Sequence, residues 1–597
     1  MSVAADAPLP TGSGEAPAAA PISVERLTVR YPGRKTPSLE AIEFAVAAGE
    51  RVGVAGRTGA GKSTLGLAVA GFIPRVVRAR LEGRAVVDGI DATTAASGAL
   101  LGRVGIVFAT PANQLSASKL TVREELAFGL ENLGVPRDEM DGRIDRTLDQ
   151  LGITHLAERE PFALSGGEQQ RVAIASIVTM GTNVLVLDEP TAQLDPAGTT
   201  AVADLLGSLA RSGTAVLCIE HDASVLDGMD RCLVLEEGRS IALDLPGIAL
   251  AEAGDIAHLL PPTLVRLAAA AGIDLARAFD EPAVAEGLRA RATTDATAAQ
   301  DAPVPGTAGS APGSPVWVPG RDRPPVTVAI KDLVHRYPTG VEAVRGVSLT
   351  IAPGEAIAIL GQNGSGKTTL VKHLNGLLRP NGGEVLIDGT STEDRTVADL
   401  ARTVGFVFQN PDDQLFERSV SREVSFGPRN LGLPAADVNR LVAGSLAAVG
   451  LDTAAATNPY DLDLSRRKLV ALAGILAMDP AVLVLDEPTT GQDADGVERV
   501  GAIVAAFRAA GRSVVAITHD MEFAAANFGR IVVMRAGEIV ADGPPDEIFA
   551  ASNRALLAST GLTPPPTARI SALLGLDPPT LDPATLLAAL RARRLTA

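Results

Sequence analysis

Two glycine-rich stretches, RVGVAGRTGAGKSTL (51–65) and AIAILGQNGSGKTTL (356–370), predict the fold of this chain. Each begins as an apolar run typical of a buried strand, continues into G-x-x-x-x-G-K-[ST], and leads into a helical pattern. Such glycines let backbone N–H groups at a helix N-terminus surround phosphate oxygens, and Lys62 and Lys367 would reach the β- and γ-phosphates. One match could be a chance turn. Two matches in register, using two of only seven lysines, argue against chance.

The composition limits the possible functions. The chain has 597 residues and a formal net charge of −17, which favours several domains and makes a nucleic-acid backbone an unsuitable partner. Cys218 and Cys232 lie in apolar strand-like runs, as reduced core cysteines of a cytosolic protein do. The N-terminal residues lack a basic start and an apolar segment, so we expect a flexible tail and no signal peptide. No apolar run is long enough to predict a membrane span, so any role at a membrane would depend on partners.

An internal duplication organises the chain. LTVRYPGRKTPSLEAIEFAVAAGERVGVAGRTGAGKSTL (27–65) returns as LVHRYPTGVEAVRGVSLTIAPGEAIAILGQNGSGKTTL (333–370), and later landmarks recur about 300 residues apart. Strand-like runs alternate with helical patterns in both copies, which predicts an α/β fold with a largely parallel sheet. The predicted organisation is a disordered tail at 1–22, a first domain at 23–255 with a helical extension at 256–290, a disordered linker at 291–325, a second domain at 326–560, and a C-terminal helical extension at 561–597.

Acidic residues end a second pair of strand-like runs, VLVLDEPTAQLD (184–195) and VLVLDEPTTGQD (482–493). After a phosphate-binding loop, the first carboxylate of each run, Asp188 or Asp486, is expected to bind Mg²⁺ through water. The second, Glu189 or Glu487, is placed to polarise an attacking water.

Histidine and tyrosine also recur at matching positions. His221 in CIEHD and His519 in AITHD each follow a further strand, and this repetition favours contact with a γ-phosphate over a purely structural role. Tyr31 and Tyr337, each in an RYP motif before the glycine-rich loop, are candidates for stacking on adenine. An ordinary strand tyrosine is the alternative for both.

The order of these motifs, together with LSGGEQ (164–169), resembles the ATP-binding-cassette (ABC) ATPases over nearly the whole chain. The resemblance implies two tandem P-loop domains, each with a mostly parallel sheet, an antiparallel β subdomain and a helical subdomain. It also implies a head-to-tail sandwich in which each ATP lies between the P-loop of one cassette and the LSGGE helix of the other. The implied cofactors are ATP and Mg²⁺, and the expected activity is transport-coupled ATP hydrolysis.

The resemblance assigns a set of site residues to this numbering. The catalytic set is Glu189, His221, Glu487 and His519, and the metal set is Ser63, Asp188, Thr368, Gln409 and Asp486. The nucleotide-binding set is Tyr31, Gly56, Arg57, Thr58, Gly59, Ala60, Gly61, Lys62, Ser63, Thr64, Ser165, Gly166, Gly167, Tyr337, Gly361, Gln362, Asn363, Gly364, Ser365, Gly366, Lys367, Thr368, Thr369 and Gln409.

The second copy of the signature is altered. Aligned without gaps, Leu164-Ser165-Gly166-Gly167-Glu168 falls on Leu462-Asp463-Leu464-Ser465-Arg466, and a shifted frame still lacks the two glycines. Site one, which pairs the first P-loop with this copy, would place the Asp463 carboxylate near a γ-phosphate, where like charges repel. Ala109 also stands where the second copy has Gln409. Site one is therefore expected to hold ATP with weak turnover and site two to hydrolyse it; tolerated drift without functional meaning is the alternative.

Finer features resemble the ATPases of energy-coupling factor (ECF) importers of vitamins and metal ions. They include FGLENLGVP (128–136), FGPRNLGLP (426–434), NPDDQLF after Gln409, and DEPTTGQD (486–493). The resemblance implies a transmembrane coupling subunit, a small substrate-binding membrane subunit, a peripheral location at the cytoplasmic face of the membrane, and an intramolecular pair of cassettes. A thiamine-related cargo is a guess from the altered signature. The alternatives are a fused ATPase of a sugar importer and, against the acidic charge and the linker composition, a cassette protein acting on the ribosome.

Overall fold

The computed structural model describes residues 20–96, 98–192, 194–257, 260–294, 317 and 323–594. Over those residues the chain forms two sets of ten strands in the same order, each with its helices, as the duplication predicts. The first set comprises strands β1 (Ile22–Arg30), β2 (Leu39–Val46), β3 (Arg51–Gly56), β4 (Arg80–Val87), β5 (Ile90–Asp91), β6 (Val104–Val107), β7 (Val184–Asp188), β8 (Ala215–Ile219), β9 (Arg231–Glu236) and β10 (Arg239–Asp244). Its helices are α1 (Lys62–Val69), α2 (Val122–Asn132), α3 (Arg137–Gln150), α4 (Gly166–Val178), α5 (Pro196–Arg211), α6 (Ala223–Asp227), α7 (Pro246–Ala257), α8 (Thr263–Ala271) and α9 (Glu281–Thr294).

The second set repeats the order of the strands from residue 328 and contains two more helices. Its strands are β11 (Val328–Arg336), β12 (Glu342–Ile351), β13 (Ala356–Leu360), β14 (Gly382–Ile387), β15 (Thr390–Ser391), β16 (Val404–Val407), β17 (Val482–Asp486), β18 (Ser513–Ile517), β19 (Arg530–Arg535) and β20 (Glu538–Gly543). Its helices are α10 (Lys367–Lys372), α11 (Val397–Leu400), α12 (Val420–Asn430), α13 (Ala435–Ala448), α14 (Leu464–Met478), α15 (Ala494–Ala509), α16 (Met521–Asn527), α17 (Pro545–Ile548), α18 (Arg554–Ser559), α19 (Pro566–Leu573) and α20 (Pro583–Arg594).

Each half is built on a six-stranded sheet. The strand orders are β10-β9-β3-β8-β7-β6 and β20-β19-β13-β18-β17-β16, and in each sheet the edge strand β10 or β20 is antiparallel to its neighbour while the other strands are parallel. A separate antiparallel sheet of four strands, β2-β1-β4-β5 or β12-β11-β14-β15, accompanies it. The predicted α/β fold, with an antiparallel β subdomain and a helical subdomain in each half, is confirmed.

The parallel strands are buried on both faces, which explains their continuous apolar sequences. Val184, Val186 and Leu187 of β7 have no exposed surface, and neither do their counterparts in β17. Because β3, β7 and β8 run parallel and side by side, their carboxyl ends meet at one edge of the sheet. The glycine-rich loop follows β3, Asp188 ends β7, and His221 follows β8, so the sheet brings these residues together.

The two helical extensions form one hydrophobic core. Helices α8 and α9 pack against α19 and α20, and Val284, Ile570 and Leu586 have no exposed surface. At its edge the Arg569 guanidinium lies 2.5 Å from a carboxylate oxygen of Glu281. The sequence shows only that the extensions resemble each other; in the structure they join the two halves of the chain.

Most of the predicted linker, 291–325, lies outside the described residues, but Trp317 within it is buried on the second half. Its side chain is 3% exposed, and its ring stacks on Phe507 of α15 with centroids 4.3 Å apart. The Arg512 guanidinium carbon lies 5.2 Å from the indole centroid, and Arg512 donates to the Asp479 carboxylate at 2.6 Å. The linker is thus anchored at this residue, a contact that its Pro/Gly/Ala-rich composition does not predict.

No helix among the described residues combines the length and the apolarity that crossing a membrane requires.

Because Trp317 is the only tryptophan of the chain, its fluorescence reports this anchor directly. We expect emission at short wavelength with weak iodide quenching in the folded protein, and a shift to longer wavelength in urea. Phe507→Leu, which removes the stacked ring but keeps an apolar side chain, should increase iodide quenching. Strong quenching already present in the unmutated protein would contradict the docked position of Trp317.

Candidate functional site

The two glycine-rich loops have the same backbone conformation. Gly61 and Gly366, the residues before α1 and α10, have φ angles of 105° and 101°, in the region that favours glycine. A Cβ at Gly61 would lie 2.4 Å from the carbonyl oxygen of Ser38, and a Cβ at Gly366 would lie 2.2 Å from that of Ala343. A side chain at either position would therefore displace the neighbouring backbone, and the loop could not keep its shape.

The P-loop lysines are buried cations. Lys62 and Lys367 are each 6% exposed, and their ammonium groups donate to the carbonyl oxygens of Gly56 at 2.8 Å and Gly361 at 2.6 Å. Burial lowers the pKa of both lysines, while nearby carboxylates raise it. These contacts keep the ammonium groups beside the loop where phosphate oxygens are expected.

The carboxylates that act on each lysine come from both halves of the chain. The pKa of Lys62 is raised by Glu189 and Asp188 of its own half and by Asp493 and Asp463 of the other half. The pKa of Lys367 is raised by Glu487 and Asp486 of its own half and by Asp195 of the first half. Each P-loop therefore lies close to acidic residues of the opposite half.

Direct contacts confirm this arrangement at site one. The backbone N–H of Thr58 donates to a carboxylate oxygen of Asp493 at 2.8 Å, and Arg57 forms an ion pair with Asp495. On the other side of the site, a Cβ at Gly491 would lie 3.9 Å from the carboxylate of Glu189. The P-loop and acidic strand end of the first half thus face the loop before α15 of the second half.

Four of the five residues proposed for Mg²⁺ form one adjacent pair in each half, and the position of Gln409 in this set stays a prediction. The Ser63 hydroxyl lies 3.2 Å from Asp188, and the Thr368 hydroxyl lies 3.4 Å from Asp486. Burial, followed by the charge of the neighbouring glutamate, raises the pKa of each aspartate to about 6. A hydroxyl and a carboxylate are the oxygen ligands that Mg²⁺ uses alongside substrate phosphates, so the residues present fit this ion.

The glutamates that follow these aspartates occupy a strained backbone conformation. Glu189 and Glu487 have φ angles of 50° and 52°, which are uncommon for a non-glycine residue. The backbone N–H of each is held by the adjacent strand, donating to Ile219 or Ile517 at 2.9 Å. This conformation is found in both halves, at the positions where the sequence predicts the groups that activate water.

Histidine completes each acidic pair. The Nε2 atom of His221 lies 3.3 Å from Glu189, and that of His519 lies 3.0 Å from Glu487. Burial acts to raise the pKa of both glutamates, but the adjacent histidine and nearby lysines outweigh it, so the net pKa of each lies below its usual value. Both glutamates are therefore ionised, the state in which a carboxylate can accept a proton from water.

The predicted adenine-stacking tyrosines lie beside the P-loop helices. The Tyr31 hydroxyl is 3.2 Å from the Thr64 hydroxyl, and the Tyr337 hydroxyl is 3.0 Å from that of Thr369. These bonds fix both rings next to the loops. Their role in stacking on adenine stays a prediction.

The altered signature keeps its helix although it has lost its glycines. Ser165 is the N-cap of α4 and accepts from the N–H of Glu168 at 3.4 Å; Asp463 is the N-cap of α14 and accepts from the N–H of Arg466 at 2.9 Å. Their backbone angles nearly coincide, which supports the alignment without gaps. Serine and aspartate are both good N-caps, so the change preserves the helix and adds a negative charge near Lys62.

The Q-loop positions also differ between the halves. Gln409 is exposed, and Ala109 at the matching place has no polar group. Gln114 does not replace it, because its amide accepts from Phe108 N–H and donates to the Ala173 carbonyl, each at 3.0 Å. Gln414 makes the same two bonds in the second half, so both of these glutamines fasten the loop to the signature helix.

Two participants were not singled out from the sequence as site residues. Asp493 contacts the first P-loop, and Lys468 donates to the carbonyl oxygen of Glu487 at 3.1 Å. The scarcity of lysine was a signal that could have pointed to Lys468, whereas the Asp493 contact is one that no local pattern reveals. Asn363, which belongs to the predicted nucleotide-binding set, lies 3.1 Å from Nε2 of His519. Whether Ser165, Gly166 and Gly167 face Lys367 stays a prediction.

Two independent P-loops predict two nucleotide sites. We expect unmutated protein to bind about two molecules of a non-hydrolysable ATP analogue per chain, and Lys62→Met and Lys367→Met each to bind about one, because each removes one buried ammonium. Equilibrium dialysis with labelled analogue measures this directly. A single substitution that abolished all binding, or left both molecules bound, would contradict two separate lysine-dependent sites.

Comparison with known proteins agrees with the geometry. The family model described as ABC transporter matches residues 39–192 and 344–490. A protein of Methanosarcina acetivorans with the provisional name ABC transporter ATP-binding protein is 38% identical over 94% of this chain and 92% of its own length. One of Streptomyces coelicolor with the same provisional name is 36% identical over 89% and 95%. The solved structure of cbiO1 from Clostridium perfringens, part of the ABC transporter complex cbiONQ, is 33% identical over 40% of this chain and 98% of its own, with a TM-score of 0.36.

The match covers both halves and includes both P-loops and both acidic strand ends, and the fold agrees with it. The chain belongs to the ABC transporter family of ATP-binding proteins and is an ATP-binding ATPase with two cassettes.

Proposed function

We propose that this protein is the energy-coupling ATPase of an ECF-type importer, in which site two hydrolyses ATP and site one mainly holds it. The observation that carries the proposal is the asymmetry of the signature helices. Both are capped and intact, but only in the second is the N-cap side chain itself a carboxylate, and the charge of that carboxylate raises the pKa of the P-loop lysine of site one. The proposal assigns different tasks to two sites whose other residues are nearly the same.

At site two the chain supplies a positioned base and a phosphate-binding loop. Lys367 and the P-loop N–H groups would hold the β- and γ-phosphates, and Glu487 would accept a proton from the attacking water. The backbone N–H of His519 donates to the Glu487 carboxylate at 3.2 Å, and the imidazole beside that carboxylate, 3.0 Å away, helps to hold the pKa of Glu487 low, so the carboxylate is ionised and can accept a proton. Thr368, Asp486 and Gln409 would hold Mg²⁺, whose charge would offset that of the phosphate oxygens. Ser165 and the N–H groups of Gly166 and Gly167 would close the site from the first cassette.

At site one the same loop faces a carboxylate. The Asp463 side chain would lie near the γ-phosphate in place of a serine hydroxyl, and Leu464 places a side chain where the first copy has glycine. Repulsion between carboxylate and phosphate disfavours the closed geometry that hydrolysis needs. Glu189 and His221 remain in hydrogen-bonding contact, so slow turnover at site one is compatible with the proposal.

An exposed aromatic patch favours a membrane-embedded partner. Phe416, which follows the Q-loop, is 57% exposed and contacts Phe426 edge to face at a centroid distance of 4.6 Å. Tyr460 lies close by, with its hydroxyl bonded to the Leu415 carbonyl at 2.7 Å. In the first cassette Phe128 and Phe162 are exposed at the places of Phe426 and Tyr460, while Ser116 stands at the place of Phe416. Exposed apolar clusters of this kind mark interaction surfaces, and coupling helices of a transmembrane subunit would fit both.

The division of labour is tested by ATPase rates of Glu189→Gln and Glu487→Gln in complex with the native membrane partners. We expect Glu487→Gln to lower the rate at least 100-fold, as removal of a general base does, and Glu189→Gln to keep most of it. Equal loss in both variants would show that Asp463 and Ala109 are tolerated drift and would overturn the assignment.

The partner surface is tested by co-sedimentation with membranes of the native host. Phe416→Asp combined with Phe128→Asp should leave less than about half of the chain bound, because a charge in an apolar contact must be desolvated. Val341→Asp is the control, since Val341 is 60% exposed in a hairpin of the antiparallel sheet. An equal loss with the control variant, or no loss with the double variant, would argue against this surface.

A further inference from the structure

The lysine on the altered signature helix contacts the catalytic strand end of its own cassette. Lys468 lies on α14, is 7% exposed, and donates from its ammonium to the backbone carbonyl oxygen of Glu487 at 3.1 Å. A lysine buried to this degree needs a compensating partner, and this carbonyl, together with nearby carboxylates, supplies it. The contact therefore connects the signature helix to the residue proposed as the base of site two.

The hydrogen bond from Lys468 fixes the backbone carbonyl of Glu487, a residue with a strained backbone conformation. Glu487 has a φ angle of 52°, and its N–H is already bonded to Ile517 at 2.9 Å. With Lys468 on the carbonyl, both peptide groups of Glu487 are fixed, and the direction of its side chain is fixed with them. Strained conformations persist where surrounding contacts determine them fully, and Lys468 is one of those contacts.

The first cassette lacks this contact. The matching position on α4 is Gln170, which is fully buried, and its side-chain amide makes no hydrogen bond to any residue that the structure describes. The carbonyl of Glu189 instead accepts from the nearby N–H of Ala192 at 3.3 Å. The lysine is thus specific to the helix that has lost its signature glycines.

Lys468 also lies close to site one. The charge of Glu189, across the interface, raises the pKa of Lys468, and the charge of Lys468 lowers that of Glu189; burial is the larger effect on Lys468 and brings its pKa to about 8. The helix that carries Lys468 is capped by Asp463, whose charge raises the pKa of Lys62. The same helix therefore lies close to Lys62 and Glu189 of site one and to Glu487 of site two.

We propose that Lys468 is a positioning residue that holds the backbone of Glu487 and thereby ties the degenerate signature helix of site one to the base of site two. The inference rests on the proposed role of site two. It explains why a helix that no longer needs to bind phosphate would retain a buried cation: the helix has a second task, performed on its own cassette.

The test measures ATP turnover in a Glu189→Gln background, so that site two is followed alone, in complex with the native membrane partners. Lys468→Gln, the residue type of the first cassette, is expected to lower kcat about 10- to 100-fold, because small displacements of a catalytic group have effects of this size. KM for ATP should stay within about twofold, since Lys468 does not contact the P-loop. Lys468→Arg, which keeps a cationic donor, should restore part of kcat.

Two controls separate the possible outcomes. Lys331→Gln removes an exposed lysine paired with Glu384 on the antiparallel sheet and should leave kcat unchanged. Unchanged kcat in Lys468→Gln, or parallel losses in kcat, KM and nucleotide stoichiometry without rescue by arginine, would overturn the positioning role. Retained turnover in Glu487→Gln would instead refute the proposed function of site two, so the two failures are distinguishable.

Discussion

The arrangement of the whole protein depends on keeping two lysines charged inside it. Lys62 and Lys367 are buried beneath their loops, and burial favours the neutral form of an amine. Four carboxylates act against burial and raise the pKa of Lys62, and two of these carboxylates belong to the other cassette. Neither cassette alone supplies the full electrostatic environment of its own loop. The duplication of the chain, the edge at which the parallel strands end, and the core that joins the two extensions together place acids of the second cassette beside the first P-loop, where Asp493 accepts from the N–H of Thr58.

Against this shared background the two sites differ in chemistry more than in shape. Asp463 caps its helix as Ser165 does, and α14 is as long and as well packed as α4, so the fold tolerates the lost signature at no evident structural cost. What changes is the group near the expected γ-phosphate, from the Ser165 hydroxyl to the Asp463 carboxylate, which lies 3.8 Å from Arg466, and the room for the backbone to approach the phosphate. Asp463 preserves the cap of α14 while it changes the chemistry of site one. Under the proposed division of labour, site two is unaffected by this substitution, because it uses the intact signature on α4.

The sequence predicted the elements whose determinants are local. The P-loops, the acids that end β7 and β17, and the histidines after β8 and β18 each follow from a short pattern, and the parallel sheet necessarily brings them together. The Asp493 contact with Thr58, the anchoring of Trp317 and the bond from Lys468 to Glu487 were not predicted, because each joins residues from different elements or different halves. Their partners are selected by tertiary packing, on which hydropathy and spacing carry no information. The joint core of the extensions was not predicted for the same reason, because similarity between two helical segments does not reveal that they pack on each other.

That joint core also limits how the two cassettes can move apart. Helices α8 and α9 from one half and α19 and α20 from the other share buried side chains, and Thr263 of α8 reaches the second cassette through a 2.5 Å bond to Glu522. Separation of the nucleotide interface while this core stays packed must be a rotation about it and cannot be a dissociation. The displacement then grows with distance from the extensions, so the largest opening falls on the side of each cassette that is farthest from this pivot.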